Sequence, residues 1–241
     1  MSALKQHGLS SQHLPWVKFC GISSVDDALL AMKLGVAYLG LIFVPGTSRF
    51  VETQTAASII NATRQHAAGS SPEFVGVFQG SPEQPEGLQR MLEIQDFLKL
   101  DVVQCHGQEP PEWLLALPTP VFKVLSVSSD MTLAQLREAA APYLKLPEEK
   151  MPCFLLDLPK RENAPESLNE RLLKMAGNHQ RLQEALGNRP YALAGKLAAE
   201  QLAPLLASWR PLGLDVASGI EKQLGVKDPD KMKAFLAALS V

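Results

Sequence analysis

The sequence predicts one α/β domain in which eight parallel strands close into a (βα)8 barrel, also called a TIM barrel. Eight short apolar runs alternate with segments of helical periodicity along 241 residues, and most of the runs are almost continuously apolar. Such runs are typical of parallel strands buried on both faces, and about 250 residues is the usual size of this barrel. An open, doubly wound sheet is the alternative. It usually carries a GxGxxG turn after its first strand, which residues 20–24 lack.

The predicted elements follow one another in strict alternation. Strands are predicted at residues 16–22, 37–43, 73–78, 102–106, 121–127, 152–158, 191–197 and 212–218. Helices are predicted at residues 25–34, 53–66, 83–98, 110–115, 130–144 and 228–239, and in the second half of the connector 161–187. Residues 1–15 are polar and have no apolar segment of a secretory signal, so we expect a flexible leader before a barrel spanning residues 16–241.

Composition narrows the class of function. The net charge is −2, with no basic excess to offset a nucleic-acid backbone, and no stretch approaches the roughly 20 apolar residues of a membrane span. Cys20, Cys105 and Cys153 are odd in number and form no CxxC pair. This argues against a disulfide framework or a zinc ribbon and fits a reducing cytoplasm.

Polar side chains cluster where the predicted strands end, and there the reactive residues of such barrels project. Lys18 and Cys20 are two apart in a strand and therefore point to the same side. The residues at or near the strand ends are, in chain order, Lys18, Cys20, Arg49, Gln104, His106, Asp157, Gly195, Lys196, Asp215, Ser218, Gly219 and Glu221, and Lys123 lies within the fifth strand. Their spacing alone does not specify a reaction.

Each of these residues also has a purely structural interpretation. A strand cysteine is usually a core residue, as we expect of Cys105 and Cys153, whereas for Cys20, at a strand end before a glycine, the two interpretations are evenly balanced. Asp157 can cap the following helix. Because it follows an apolar strand, it can instead be a desolvated carboxyl group with a raised pKa that donates a proton. The other strand-end residues can be turn residues or surface charges.

Taken in order, several segments resemble phosphoribosylanthranilate isomerase, a family of the tryptophan pathway. The matching motifs are KxCG at 18–21, YLGLIF at 38–43 with a PGTSR loop at 45–49 that resembles the family's SxR loop, VGVF at 75–78, LDVVQCHG at 100–107, FLLD at 154–157, LAG at 193–195, DVASGIE at 215–221 and GVKD at 225–228. The likeness covers residues 16–240, and the ordered set is far more specific than any single motif.

The resemblance implies an Amadori rearrangement of N-(5-phosphoribosyl)anthranilate to 1-(2-carboxyphenylamino)-1-deoxyribulose 5-phosphate, with no metal or organic cofactor. Cys20 would be the base that takes the C2 proton, and Asp157 the acid that protonates the ribose ring oxygen. The residues implied around the substrate are Lys18, Arg49, Gln104, His106 and Asp215. Arg49 would meet the anthranilate carboxylate, and the Lys18 cation would favour the thiolate of Cys20. We expect a monomer or a homodimer.

The likeness breaks at the phosphate subsite. The family has a GGTG segment after its sixth-strand aspartate, whereas residues 158–164 contain no glycine, and Lys196 replaces the second glycine of LAGG. The expected phosphate-binding residues are Gly195, Lys196, Ser218 and Gly219, with Lys160 and Arg161 as further candidate cations. Either the isomerase activity persists with a rebuilt subsite, or the substrate has changed or catalysis is lost in a binding or scaffold relative. Retention of Cys20 and Asp157 favours the isomerase.

Overall fold

The structure is a computed structural model that describes residues 14–67, 69, 71–84, 86–159 and 165–239. Eight parallel strands follow one another around a closed barrel in chain order, which confirms the predicted fold class. The leader predicted over residues 1–15 lies almost entirely outside the described residues.

The strands and helices alternate as predicted. The barrel strands are β1 Trp16–Cys20, β2 Tyr38–Ile42, β3 Glu73–Phe78, β4 Val102–Cys105, β5 Val121–Ser126, β6 Phe154–Asp157, β7 Tyr191–Leu193 and β8 Gly213–Val216, and a hairpin of β9 Glu221–Gln223 and β10 Val226–Lys227 follows β8. The helices are α1 Val25–Lys33, α2 Thr53–His66, α3 Glu86–Leu98, α4 Pro111–Ala116, α5 Leu133–Ala140, α6 Leu168–Ala176, α7 His179–Ala185, α8 Leu202–Ser208 and α9 Pro229–Ala237.

Side-chain caps define where several helices begin. Ser24 accepts a hydrogen bond from the backbone N–H of Asp27 at the start of α1, and Asp228 caps α9 in the same way. Ser167 and Glu170 form a capping box at the start of α6. These side chains satisfy backbone donors that the first helical turn leaves without partners.

The N-terminal end of the barrel is plugged by aromatic side chains. Trp16 stacks on Phe122 with ring centroids 5.5 Å apart, and Tyr38 lies edge-on to Trp16 at 5.0 Å. A Cβ atom on Gly213 would come within 2.1 Å of the Trp16 ring, so that strand position must lack a side chain. Because this end is filled, an opening can form only at the carboxyl ends of the strands.

Three local features differ from the sequence prediction. The connector 161–187 contains two helices, α6 and α7, and neither α8 nor the β9–β10 hairpin was predicted. β7 ends at Leu193 rather than at residue 197, because Gly195 and Lys196 adopt positive φ angles of 91° and 55° that turn the chain. Positive φ is incompatible with continuing a strand.

Within the described ranges, no helix is both long enough and apolar enough to cross a membrane. The same part of the chain has no cluster of three or more His, Cys, Asp or Glu side chains suited to hold a metal ion.

Candidate active site

A cavity of about 460 Å³ opens at the carboxyl ends of the strands, and we call it the mouth cavity. It brings together most of the strand-end residues singled out from the sequence. Its lining includes Cys20, Arg49, Gln104, His106, Asp157, Gly195, Lys196, Asp215 and Ser218. A second groove of about 540 Å³ lies beside α3 but contains none of these residues, so its larger volume does not make it the better candidate.

Cys20 ends β1 with its side chain on the inner wall of the barrel, and the residue is only 6% exposed. Gly40 of β2 is its register partner. A Cβ atom there would lie 2.8 Å from Cys20 Sγ and 3.0 Å from Lys18 Nζ. Gly40 therefore leaves the space in which the thiol and the ammonium group meet.

Lys18 and Asp215 form a buried ion pair beneath Cys20. Lys18 Nζ lies 3.0 and 2.9 Å from the two carboxylate oxygens of Asp215 and has no exposed surface. Asp215 reaches the mouth cavity, but Lys18 is not part of its lining. Lys18 thus sits behind the thiol rather than facing the space that a substrate would fill.

Two effects oppose each other at the thiol. Burial raises the pKa of Cys20, the nearby Lys18 cation lowers it, and Asp215 raises it again; the net pKa lies above the ordinary thiol value. Burial lowers the pKa of Lys18, but Asp215 and Cys20 together raise it by more. The net pKa lies above the ordinary lysine value, which favours the ammonium form. Burial and the Lys18 cation therefore act in opposite directions on the pKa of the Cys20 thiol.

Asp157 ends β6 and pairs with His106 from the end of β4. His106 Nε2 lies 3.6 Å from Asp157 Oδ2, and Asp157 Oδ1 accepts a 2.7 Å hydrogen bond from the backbone N–H of Leu158. A Cβ atom on Gly195 would come within 2.9 Å of Asp157 Oδ1 and 2.8 Å of that same N–H nitrogen. The Leu158 backbone N–H and the close approach of Gly195 therefore set the orientation of the Asp157 carboxyl group.

Gln104 lies on β4 two residues before His106 and shares its side of the strand. It is 2% exposed, and among the described residues no group hydrogen-bonds its Oε1 atom. A buried amide oxygen without a partner is costly unless a ligand or water supplies a donor. Gln104 lines the mouth cavity, so its amide group is a candidate partner for a polar group bound there.

Arg49 follows β2 and is held by a carboxylate from the β9–β10 hairpin. Its Nε and Nη2 atoms donate to the two oxygens of Glu221 at 2.7 and 2.8 Å, a bidentate pair. Lys227, on the other strand of the hairpin, donates to Glu221 Oε1 at 3.0 Å. Arg49 is not an ordinary surface charge, because both its orientation and its place in the mouth cavity are determined by this hairpin.

The loops after β7 and β8 form the remaining side of the cavity. Lys196 is exposed and holds a left-handed φ of 55° at the position where LAGG would have its second glycine. A Cβ atom on Gly219 would lie 1.7 Å from the carbonyl oxygen of Leu197, so these two loops touch through a residue that has to be glycine. Gly219 lies in the short 3-10 turn Ser218–Ile220, outside the lining itself. Lys160 and Arg161 fall outside the described residues.

Comparison with known proteins decides the family. The sequence model of one family, N-(5'-phosphoribosyl)anthranilate (PRA) isomerase, matches residues 17–238. The chain belongs to the N-(5'-phosphoribosyl)anthranilate isomerase family. It is therefore an aldose–ketose isomerase of tryptophan synthesis, and the resemblance drawn from the motifs is confirmed.

Individual relatives agree with this assignment over most of the chain. The N-(5'-phosphoribosyl)anthranilate isomerase of Symbiobacterium thermophilum is 32% identical over 232 residues, covering 92% of this chain and 97% of that protein. The isomerase of Syntrophus aciditrophicus is 31% identical over 233 residues, covering 92% and 86%. The Thermus thermophilus phosphoribosyl anthranilate isomerase structure is 32% identical with a TM-score of 0.68, covering 93% and 98% of the two chains. The Thermotoga maritima structure is 25% identical with a TM-score of 0.74, covering 94% and 98%.

Some residues that shape this isomerase barrel had no distinct signal in the sequence. Glu109 is fully buried; one of its oxygens accepts from the backbone N–H of Gly80 at 2.6 Å and from that of Gly107 at 2.9 Å, while the other lies 2.7 Å from Lys123 Nζ. This cluster fixes the loop that carries His106. A glutamate in a polar loop looks exposed from sequence, so only the fold identifies it as an anchor.

Proposed function

We propose that Cys20 and Asp157 carry out the isomerisation as base and acid, with the sugar of N-(5-phosphoribosyl)anthranilate bound in the mouth cavity. The observation that supports this most directly is that both side chains line one cavity at the open end of a barrel whose other end is plugged. A base and an acid on different strands can act on opposite sides of one bound sugar.

The proposed reaction begins at Asp157. Its carboxyl proton passes to the ribose ring oxygen, the C1–O bond breaks, and the nitrogen lone pair forms an iminium group at C1. In this step Asp157 acts as a protonated carboxyl group. Its Oδ1 atom accepts a hydrogen bond from the Leu158 backbone N–H, and its Oδ2 atom lies on the side of His106. We assign His106 to orienting this carboxyl group.

The second step belongs to Cys20. Its thiolate takes the C2 proton, and the C–H electron pair becomes the C1=C2 double bond while the iminium nitrogen is neutralised. The resulting enaminol gains a proton at C1 and loses one from the C2 hydroxyl to give the ketose. No atom is gained or lost, so the reaction is an isomerisation.

Lys18 is assigned to the thiol rather than to the substrate. It lies beneath Cys20 and outside the lining of the mouth cavity, and its cation lowers the thiol pKa that burial raises. Asp215 holds Lys18 in place through both carboxylate oxygens. We therefore propose that these two residues set the protonation of the base, a role that differs from the substrate contact expected of Lys18.

The two anionic ends of the substrate have separate partners in this proposal. The anthranilate carboxylate meets Arg49, whose Nη1 donors are not used by Glu221. The phosphate lies against Gly195, Lys196, Ser218 and Gly219, where the Lys196 ammonium group replaces amides of the absent GGTG segment. Gln104 supplies its free amide oxygen to a sugar hydroxyl.

A fluorescence assay tests the function and the two assignments. Purified protein is given freshly made phosphoribosylanthranilate, and the loss of substrate fluorescence is followed. Cys20→Ala and Asp157→Asn should lose nearly all activity while circular dichroism shows that they are folded. Cys153→Ala is the matched control, because this cysteine is equally buried but lies in the plug at the other end of the barrel. Equal rates in all four proteins would refute the proposed roles.

The oligomeric state is a separate proposal. One Thermotoga maritima relative, 26% identical, is described as a dimeric phosphoribosylanthranilate isomerase from which monomers were generated. For this chain we propose a monomer or a homodimer, and light scattering coupled to gel filtration distinguishes the two.

A further inference from the structure

Lys227 is a buried cation for which the proposed chemistry has no role. Its side chain has no exposed surface, and its Nζ atom contacts oxygens from three segments. It donates to the Cys20 carbonyl at 2.6 Å, to the Ala217 carbonyl at 3.1 Å and to Glu221 Oε1 at 3.0 Å. One ammonium group thus uses all three of its donors to join the ends of β1 and β8 to the hairpin.

These contacts link the two ends of the substrate-binding surface. Glu221 holds the Arg49 guanidinium group by two hydrogen bonds, and the Arg49 stem lies against Gly21, where a Cβ atom would come within 2.7 Å of it. A continuous path therefore runs from the Cys20 backbone through Lys227 and Glu221 to Arg49.

The charges along this path have a consequence for binding. Glu221 carries one negative charge and touches two cations, Arg49 and Lys227, so the group keeps a net charge of +1. Without Lys227, the Arg49–Glu221 pair would be neutral, and a carboxylate ligand would meet no net attraction. Lys227 lets Glu221 orient Arg49 without cancelling its charge.

We propose that Lys227 is a positioning residue of the isomerisation, which anchors the backbone of the base and preserves the positive charge of Arg49 for the anthranilate carboxylate. This inference rests on the proposed function, because it takes Cys20 as the base and Arg49 as the carboxylate ligand.

The thiol also responds to this cation. The charged groups that face Cys20 are Lys18 from β1, Asp215 from β8, Arg49 from the loop after β2 and Lys227 from the hairpin. Lys227 lowers the pKa of Cys20, opposing the larger effect of burial. Removing Lys227 raises the pKa of Cys20 further. In a plot of kcat/KM against pH, the rise that follows ionisation of Cys20, which we call the limb, therefore moves to higher pH.

The test compares Lys227→Met with Lys222→Met, an exposed lysine of the same hairpin as matched control. We expect Lys227→Met to raise KM by about tenfold or more, the scale of one lost charge-assisted contact, and to shift the limb upward. Lys222→Met should match the wild type in both. A stability loss without change in KM or in the limb would overturn the proposal.

The double variant Lys227→Met/Glu221→Gln separates charge from folding. Both variants lose the same Lys227 contacts with the Cys20 and Ala217 carbonyls, so they share that loss of stability, but in the double variant Arg49 again supplies a net charge of +1. We expect KM to return most of the way to the wild-type value while the limb stays shifted. A double variant with KM no better than Lys227→Met, or with an unshifted limb, would contradict the proposal. An inactive wild type would instead contradict the proposed function.

Discussion

Lys18 of β1 and Asp215 of β8 face each other in the strand register that closes the barrel, and their side chains form a buried ion pair. The pair lies directly beneath Cys20, so the closure of the sheet and the environment of the proposed base depend on the same two residues. Neutralising one of them leaves the other as an uncompensated buried charge.

Lys18→Met should therefore be strongly destabilising. Since Asp215 would stay buried without its cation, we expect the free energy of unfolding to fall by about 3–5 kcal/mol, measured by urea denaturation at neutral pH. Lys33→Met, at an exposed lysine on α1, is the control and should change stability by no more than about 0.5 kcal/mol. Equal losses in the two variants would show that the ion pair contributes nothing.

Stability should decline at alkaline pH because of the buried thiols. Burial raises the pKa of Cys20, Cys105 and Cys153, whereas in the unfolded chain thiols ionise near their ordinary value. Above pH about 8.5 the unfolded state loses protons that the folded state keeps, so the free energy of unfolding falls by up to about 1.4 kcal/mol per pH unit per thiol. Urea denaturation from pH 7 to 10 measures this slope. Cys153→Ala should have a shallower slope, and an unchanged slope would rule out its thiol as a contributor.

Gly195→Ala should impair the proposed acid. The added Cβ would lie 2.9 Å from Asp157 Oδ1 at a φ of +91°, so the carboxyl group has to move. A shift of this kind lowers kcat by on the order of 10²-fold. Gly35→Ala is a matched control, because that glycine also has a positive φ but meets nothing within 4 Å. It should lose stability by about 1 kcal/mol and keep its kcat. A normal kcat in Gly195→Ala would show that the carboxyl tolerates displacement.

Lys196→Gly should raise stability and weaken substrate binding together. Lysine at a φ of 55° costs about 1–2 kcal/mol that glycine does not, against a loss of about 0.5–1 kcal/mol from the added freedom of glycine. We expect a net gain of about 0.5–1 kcal/mol in the free energy of unfolding and a KM raised about tenfold by loss of the ammonium group. Lys196→Ala removes the charge but not the strain, so it should raise KM with no gain in stability. If KM is unchanged in both variants, Lys196 is not part of the phosphate subsite.

The sequence by itself determined the barrel and the positions of its two principal polar residues. Apolar runs of strand length alternating with helices allow few parallel-sheet arrangements, and all parallel strands present their carboxyl ends on one face. Residues at strand ends, such as Cys20 and Asp157, were therefore predictable as neighbours of a single opening without knowledge of any contact.

Only the tertiary structure decided which charges act on the substrate and which act on one another. The β9–β10 hairpin consists of strands of three and two residues, too short to show a periodic pattern, yet it carries Glu221 to Arg49 and Lys227 to the Cys20 carbonyl. Lys18 likewise looked like a substrate contact until its register placed it beneath the thiol. Polar contacts between residues 172 and 207 positions apart depend on the closure of the barrel, which local sequence does not encode.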